Sequence, residues 1–152
     1  MHVFAAVRSE KDIQKLNLQK RENKLRRLHP ILIDVTKEEQ IMKGVRTITE
    51  FTEKKGLPFI GLVNNAGMSM ESISEIQKTE DVKVSFYFQK FPFNFFPKSM
   101  HKISGKKKAV FDVNVFGVMR MCKAFIPLLR KSNVSTIVQV SEISTFQFLQ
   151  DV

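Results

Sequence analysis

Asn64 and Asn65 follow a short apolar run, Phe59-Ile60-Gly61-Leu62-Val63, and are themselves followed by Ala66 and Gly67. Two amides in succession at the end of an apolar stretch demand partners, because a buried amide left unpaired costs about 1–3 kcal/mol. They belong either to a structural hydrogen-bond network or to the lip of a ligand crevice. Ala66 and Gly67 keep the backbone bare, so that a ligand or another segment can approach closely. Asn114 is a further polar residue in an unexpected place, on the apolar face of a helix and close to Gly117, either satisfied locally or placed for function. Three other groups with chemistry, Arg8, Asp34 and Ser141, sit near the ends of apolar runs. An internal disulfide and a cysteine-rich metal site are excluded, because Cys122 is the single cysteine, and His2, His29 and His101 lie far apart without ligand spacing, so no metal is expected.

Alternating strands and helices must position these groups. Val3 to Val7 reads as a strand, and Ser9 caps a helix extending to about Leu28, with Ile13, Leu16, Leu25 and Leu28 as its apolar positions. His29-Pro30 ends that helix, since proline disfavours helical geometry in the residue before it, and Ile31 to Val35 forms a second strand. Thr36-Lys37-Glu38-Glu39 has the form of a capping box. The apolar stripe Ile41, Val45, Ile48 and Phe51 then continues the helix to Lys54 and Lys55, and Gly56 with Pro58 stops it. Phe59 to Val63 is short and apolar enough for a strand buried on both faces of a parallel sheet. Val110, Val113, Gly117, Met121, Ala124 and Leu128 recur at helical spacing up to Leu129, with Pro127 expected to kink the last turn or leave it irregular. Thr136 to Val140 makes the last strand. This alternation predicts an α/β fold, a three-layer parallel sheet with right-handed crossovers. Ligands of such sheets bind beyond the C-terminal strand ends, where Arg8, Asp34, Asn65 and Ser141 all fall.

A chain of 152 residues that is 43% hydrophobic can bury one core, and residues 1–152 are read as one domain. No apolar run is long enough to span a bilayer, the first residues lack the form of a signal peptide, and the cysteine usage fits a reducing compartment, so a cytoplasmic location is expected. The net charge of +10 is concentrated in residues 11–27 and 98–108. Neither cluster carries zinc ligands, an aromatic RNA-binding motif or a basic-leucine pattern, so both read as solvated faces and nucleic acid is not an expected partner.

Five stretches in order, Val-Phe-Ala-Ala-Val-Arg (3 to 8), Ile-Asp-Val-Thr (33 to 36), Leu-Val-Asn-Asn-Ala-Gly (62 to 67), Phe-Asp-Val-Asn-Val-Phe-Gly (111 to 117) and Ile-Val-Gln-Val-Ser (137 to 141), resemble landmarks of the short-chain dehydrogenase/reductase family. Their wording is similar to the branch with retinol, 17β-hydroxysteroid and 3-hydroxybutyrate dehydrogenases. The resemblance implies a Rossmann-type sheet, represented here by strands 2 to 5 of the family fold. It implies NAD or NADP as cofactor and hydride transfer to or from a small lipophilic alcohol or ketone. By that resemblance Asp34 and Val35 contact the adenine, Asn65, Ala66 and Gly67 line the ribose side, Asn64 holds the sheet, and Asn114 is the catalytic asparagine. Arg8, where an acid would favour NAD, leans the expectation to NADP through a guanidinium–phosphate pair. The helix over residues 109–129 is the expected homo-oligomer surface.

The same resemblance exposes departures. The glycine-rich Thr-Gly-x-x-x-Gly-x-Gly turn is expected before residue 1 and the Tyr-x-x-x-Lys pair after Val152, so the chain reads as a catalytically incomplete fragment with a gap in its sheet at strand 1. Such a sheet is expected to be marginally folded. Aligning Val140-Ser141-Glu142 with Val-Ser-Ser puts Glu142 at the catalytic serine, and a one-residue shift restores Ser141. Residues 83–104 form a Phe- and Lys-rich insertion, readable as a lipid-facing or substrate lid, a packed insertion or translated non-coding sequence. A non-catalytic interaction fragment, or one that binds a membrane surface, is the alternative function.

Overall fold

The computed structural model describes residues 1–68 and 109–140. Ser141, Glu142 and the insertion at 83–104 lie outside the described residues. Chain order is β1 (Val3–Val7), α1 (Glu10–Glu22), β2 (Leu28–Leu32), α2 (Glu38–Lys55) and β3 (Gly61–Asn64). A π-helical stretch (Asp112–Gly117) then runs into α3 (Val118–Leu129), and β4 (Thr136–Gln139) follows.

The strands form two parallel pairs, β1 with β2 and β3 with β4. Val3 is opposite Leu28 and Val7 opposite Leu32, while Gly61 is opposite Thr136 and Asn64 opposite Gln139. The α/β alternation and the parallel pairing agree with the sequence. So does the expected gap: among the described residues β1 and β3 are not hydrogen-bonded to each other.

Ile33, Ile41, Ile48, Leu62, Met121, Phe125, Leu128 and Leu129 form the buried core, where α2 and α3 pack together over the strand pairs. Gly117 permits the closest approach. A Cβ there would lie 2.6 Å from Val35 Cγ2, so only a residue without a side chain lets the π-helical stretch rest on the segment after β2. Gly56 ends α2 at φ 62°, a left-handed cap that glycine adopts without steric cost.

Five expectations are corrected. Helix α1 stops at Glu22, and Lys24 at φ 52° turns the chain so that the Val3 N–H reaches the Arg27 carbonyl. Strand β2 therefore starts at Leu28 and contains Pro30, which is tolerable because among the described residues β2 has only β1 beside it, leaving an outer edge that needs no N–H. Thr36 does not cap α2. Its hydroxyl donates instead to Asp34 Oδ1 at 2.7 Å, a local turn that outcompetes the helix end, and Lys37 occupies the cap position without a side-chain bond. Strand β3 is covered on one face only: Leu62 and Asn64 are buried and Gly61 and Val63 exposed. Pro127 does not leave the last turn of α3 irregular, since the α-helix continues through it to the expected end at Leu129.

Candidate functional site

Asp34 follows β2 in a tight hydrogen-bonded turn. Its Oδ1 accepts from the Thr36 N–H at 2.9 Å as well as from the hydroxyl, and its own N–H donates to Gln40 Oε1 at 2.8 Å. Burial by itself would raise the Asp34 pKa. The two Thr36 donors, with Lys37 and Arg8 nearby, outweigh burial and hold the carboxyl below its usual value. Arg8 is exposed one residue beyond β1, and its charge contributes to the lowered Asp34 pKa.

Asn65, Ala66 and Gly67 emerge exposed from β3. Asn64 turns inward, only 6% exposed, and its Nδ2 donates to Cys122 Sγ at 3.4 Å while its carbonyl accepts the Val140 N–H at 3.0 Å. The two amides thus part company: Asn64 belongs to a structural network, and Asn65 lies exposed beyond the strand end.

Asn114 closes the other side. The π-helical stretch adds a residue to the turn and rotates Asn114 into an exposed position, while its neighbour Val113 faces the cavity beneath β3. Its Oδ1 accepts the Met68 N–H and its Nδ2 donates to the Met68 carbonyl, each at 2.8 Å. Both backbone groups of Met68 are thereby held, and Gly67 lies against the same amide: a Cβ on Gly67 would be 3.8 Å from Asn114 Oδ1.

Arg120 is a residue that sequence reasoning missed. Its Nη1 donates to the Val35 and Asp112 carbonyls, each at 3.3 Å, and its Nη2 pairs with Asp112 Oδ1 at 2.7 Å. It ties the π-helical stretch carrying Asn114 to the segment carrying Asp34 and Val35. An eight-residue separation matches no standard side-chain pairing on a helix, so no sequence signal marked it. Arg8, Asp34, Val35, Asn65, Ala66, Gly67 and Asn114 therefore share one end of the molecule, beyond the strand C-termini.

The short chain dehydrogenase family model matches residues 1–150. Mouse retinol dehydrogenase 7 is 30% identical over 132 residues, which is 87% of this chain and 32% of that protein. Mouse estradiol 17-beta-dehydrogenase 2 is 33% identical over 117 residues, 77% of this chain and 24% of that protein. The chain thus spans about a third or less of the length of these curated relatives. Among solved structures, the NADPH-bound carbonyl reductase from chicken fatty liver superimposes with a TM-score of 0.65 at 20% identity, covering 99% of this chain and 53% of that one. A short chain dehydrogenase from Mycobacterium smegmatis gives 0.61 at 20% identity, covering 93% and 47%.

Proposed function

The chain belongs to the short-chain dehydrogenase family, and on that footing we propose that it carries the adenosine-side portion of a nicotinamide-dinucleotide site. The parent activity is oxidoreduction of a small lipophilic alcohol or ketone. The observation that carries this reading is the assembly at one end of the fold of Arg8, Asp34 and Val35 with the Asn65-Ala66-Gly67 strip, closed by Asn114 on the Met68 backbone.

The residues fit the group they would hold. The exposed strip at Ala66 and Gly67 lets a flat ribose or adenine approach the backbone, and the restrained Asp34 turn offers a rigid wall beside Val35. When bound, the nicotinamide ring supplies the hydride donor or acceptor. Asn114 fixes the turn after β3, and Ser141, just beyond β4, is assigned to the substrate oxygen. Arg8 carries the choice between cofactors: its guanidinium can pair with a 2′-phosphate, so NADP is favoured over NAD. The names of the relatives support a retinoid- or steroid-like substrate, and the single cysteine supports a reducing compartment such as the cytoplasm. The exposed side of α3, with Lys123 and Pro127, is the proposed contact with a second copy.

Titration of the chain with NADPH and with NADH, followed by nicotinamide fluorescence, tests the reading. NADPH is expected to bind more tightly than NADH, and Arg8→Glu to erase or reverse that preference while leaving the far-UV spectrum unchanged. Equal affinities that ignore Arg8 would remove the assignment of the adenosine end.

A further inference from the structure

A π-helical turn carries one residue more than an α-turn and is rare, and the stretch Asp112–Gly117 is held by contacts from outside its own ladder. One is steric: bare Gly117 rests on Val35, where a Cβ would come within 2.6 Å of Cγ2. The other is Arg120, the third residue of α3. Its Nη1 donates to the Asp112 carbonyl at 3.3 Å and its Nη2 to Asp112 Oδ1 at 2.7 Å. Backbone and side chain of the first π-helical residue are thus taken by one guanidinium. The same Nη1 also donates to the Val35 carbonyl at 3.3 Å.

The geometry matters more than the charge. A partly exposed ion pair contributes little by itself, and the Arg120 and Asp112 side chains are 33% and 37% exposed. A guanidinium, however, is planar and holds its donors at fixed angles to one another. With two backbone carbonyls from different elements on one nitrogen, a displacement of Asp112 is passed to Val35, and the reverse. Two residues after Asp112, Asn114 presents its amide to both backbone groups of Met68, each at 2.8 Å. Directly before Val35, Asp34 is held by Thr36. The guanidinium therefore stands between the two pieces of backbone whose separation sets the width of the site.

We propose that Arg120 is a positioning residue of the dinucleotide site: it acts through Asn114 and Val35, fixing the turn that holds Met68 and the segment after β2 at one separation. The proposal rests on the reading of this end of the fold as the adenosine side of that site.

Amide hydrogen exchange in the 152-residue chain, read residue by residue by NMR, compares Arg120→Met, Asn114→Ala and the double variant. Methionine keeps an unbranched side chain and loses every donor. Arg120→Met is expected to speed exchange at Met68 by about fivefold or more, while the core amides of Ile41 and Phe125 stay within about twofold. In the Asn114→Ala background the same substitution should change Met68 by no more than about twofold, because the amide through which Arg120 acts is gone. Equal acceleration in both backgrounds would make Arg120 a structural support alone and overturn the proposal, as would no acceleration in either. Arg120→Lys keeps the charge beside Asp112 without the planar fork, so it should restore less than half of the lost protection; full restoration would reduce the clamp to an ion pair. Should Arg120→Met fail to fold, Arg120→Lys carries the same comparison in both backgrounds. Titration with NADPH separates the proposal from the reading beneath it. Binding by the native chain should weaken about threefold or more in Arg120→Met, and unchanged affinity would overturn the positioning role. No binding by the native chain would instead overturn the adenosine reading, and the exchange result would still decide whether Arg120 sets Asn114.

Discussion

Asn114 does two things with one amide: it satisfies both backbone groups of Met68 and so sets where Asn65, Ala66 and Gly67 stand. Replacing it with alanine removes two hydrogen bonds worth about 0.5–1.5 kcal/mol each in net terms. Because the site is exposed and water can replace the amide, Asn114→Ala is expected to lower stability by about 1 kcal/mol, measured by urea unfolding. Loss of amide-exchange protection should concentrate at Met68, and a uniform loss across the chain would contradict the assignment. His2 and His29 make a second residue-scale prediction. Their facing ring nitrogens are 2.9 Å apart, and desolvation, with Arg27, the chain's amino terminus and Lys55 for His2 and with Lys20 and His2 for His29, lowers both pKa values from 6.5. The folded state therefore resists protonation that the unfolded chain accepts. Stability from this pair is complete above pH 6.5 and declines as pH falls through the lowered values; Asp34 adds a later decline below 3.8, as its depressed pKa is crossed. Urea midpoints across pH should show the first decline in the native chain and a shallower one in His29→Phe, which keeps a ring against Phe4. Identical slopes would be the contrary result.

The elements were legible where one local signal acted alone. Strand β1 occupies the range its apolar run indicates, Ser9 caps α1 by accepting the Asp12 N–H at 3.2 Å, and Gly56 ends α2. They were misread where two signals competed. Pro30 has the look of a helix stop but sits within an edge strand, and Thr36 has the spacing of a capping box but is closer to the Asp34 carboxylate. The positions of Arg8, Asp34 and Asn65 beyond strand ends were readable from the apolar runs that precede them. Arg120 was not, because its partners Asp112 and Val35 are joined only by the π-helical geometry. That geometry depends on Gly117. Gly117→Val would drive a side chain into Val35, and overpacking of this kind costs about 1–3 kcal/mol; a lowered urea midpoint checks it. Gly56→Ala should cost about 1–2 kcal/mol, because the left-handed conformation is retained without glycine. An unchanged midpoint for Gly117→Val would show that the π-helical stretch does not rest on Val35.

At the scale of the whole molecule, the described residues fold as two strand pairs bridged by α2 and α3. Ile60, Val63, Val138 and Val140 are each more than two-fifths exposed, and every residue of β4 is exposed. The backbone alternation made this architecture readable, yet the one-sided cover of β3 was hidden, because an apolar run does not report how many layers lie over it. A sheet whose two strand pairs are not joined by hydrogen bonds among the described residues should unfold over a broad temperature range and bind a hydrophobic dye, whereas a sharp transition with an intense near-UV spectrum would contradict that expectation. Among the described residues no helix is long and apolar enough to cross a membrane. The central claim, that the strand ends form the adenosine side of a dinucleotide site, is tested most directly by two-dimensional amide NMR of the labelled chain titrated with NADPH. Shifts confined to Arg8, Asp34, Val35, Asn65, Ala66, Gly67 and the turn around Asn114 are the expected result. Saturation without any change at those positions, or no change anywhere in the spectrum, would contradict it.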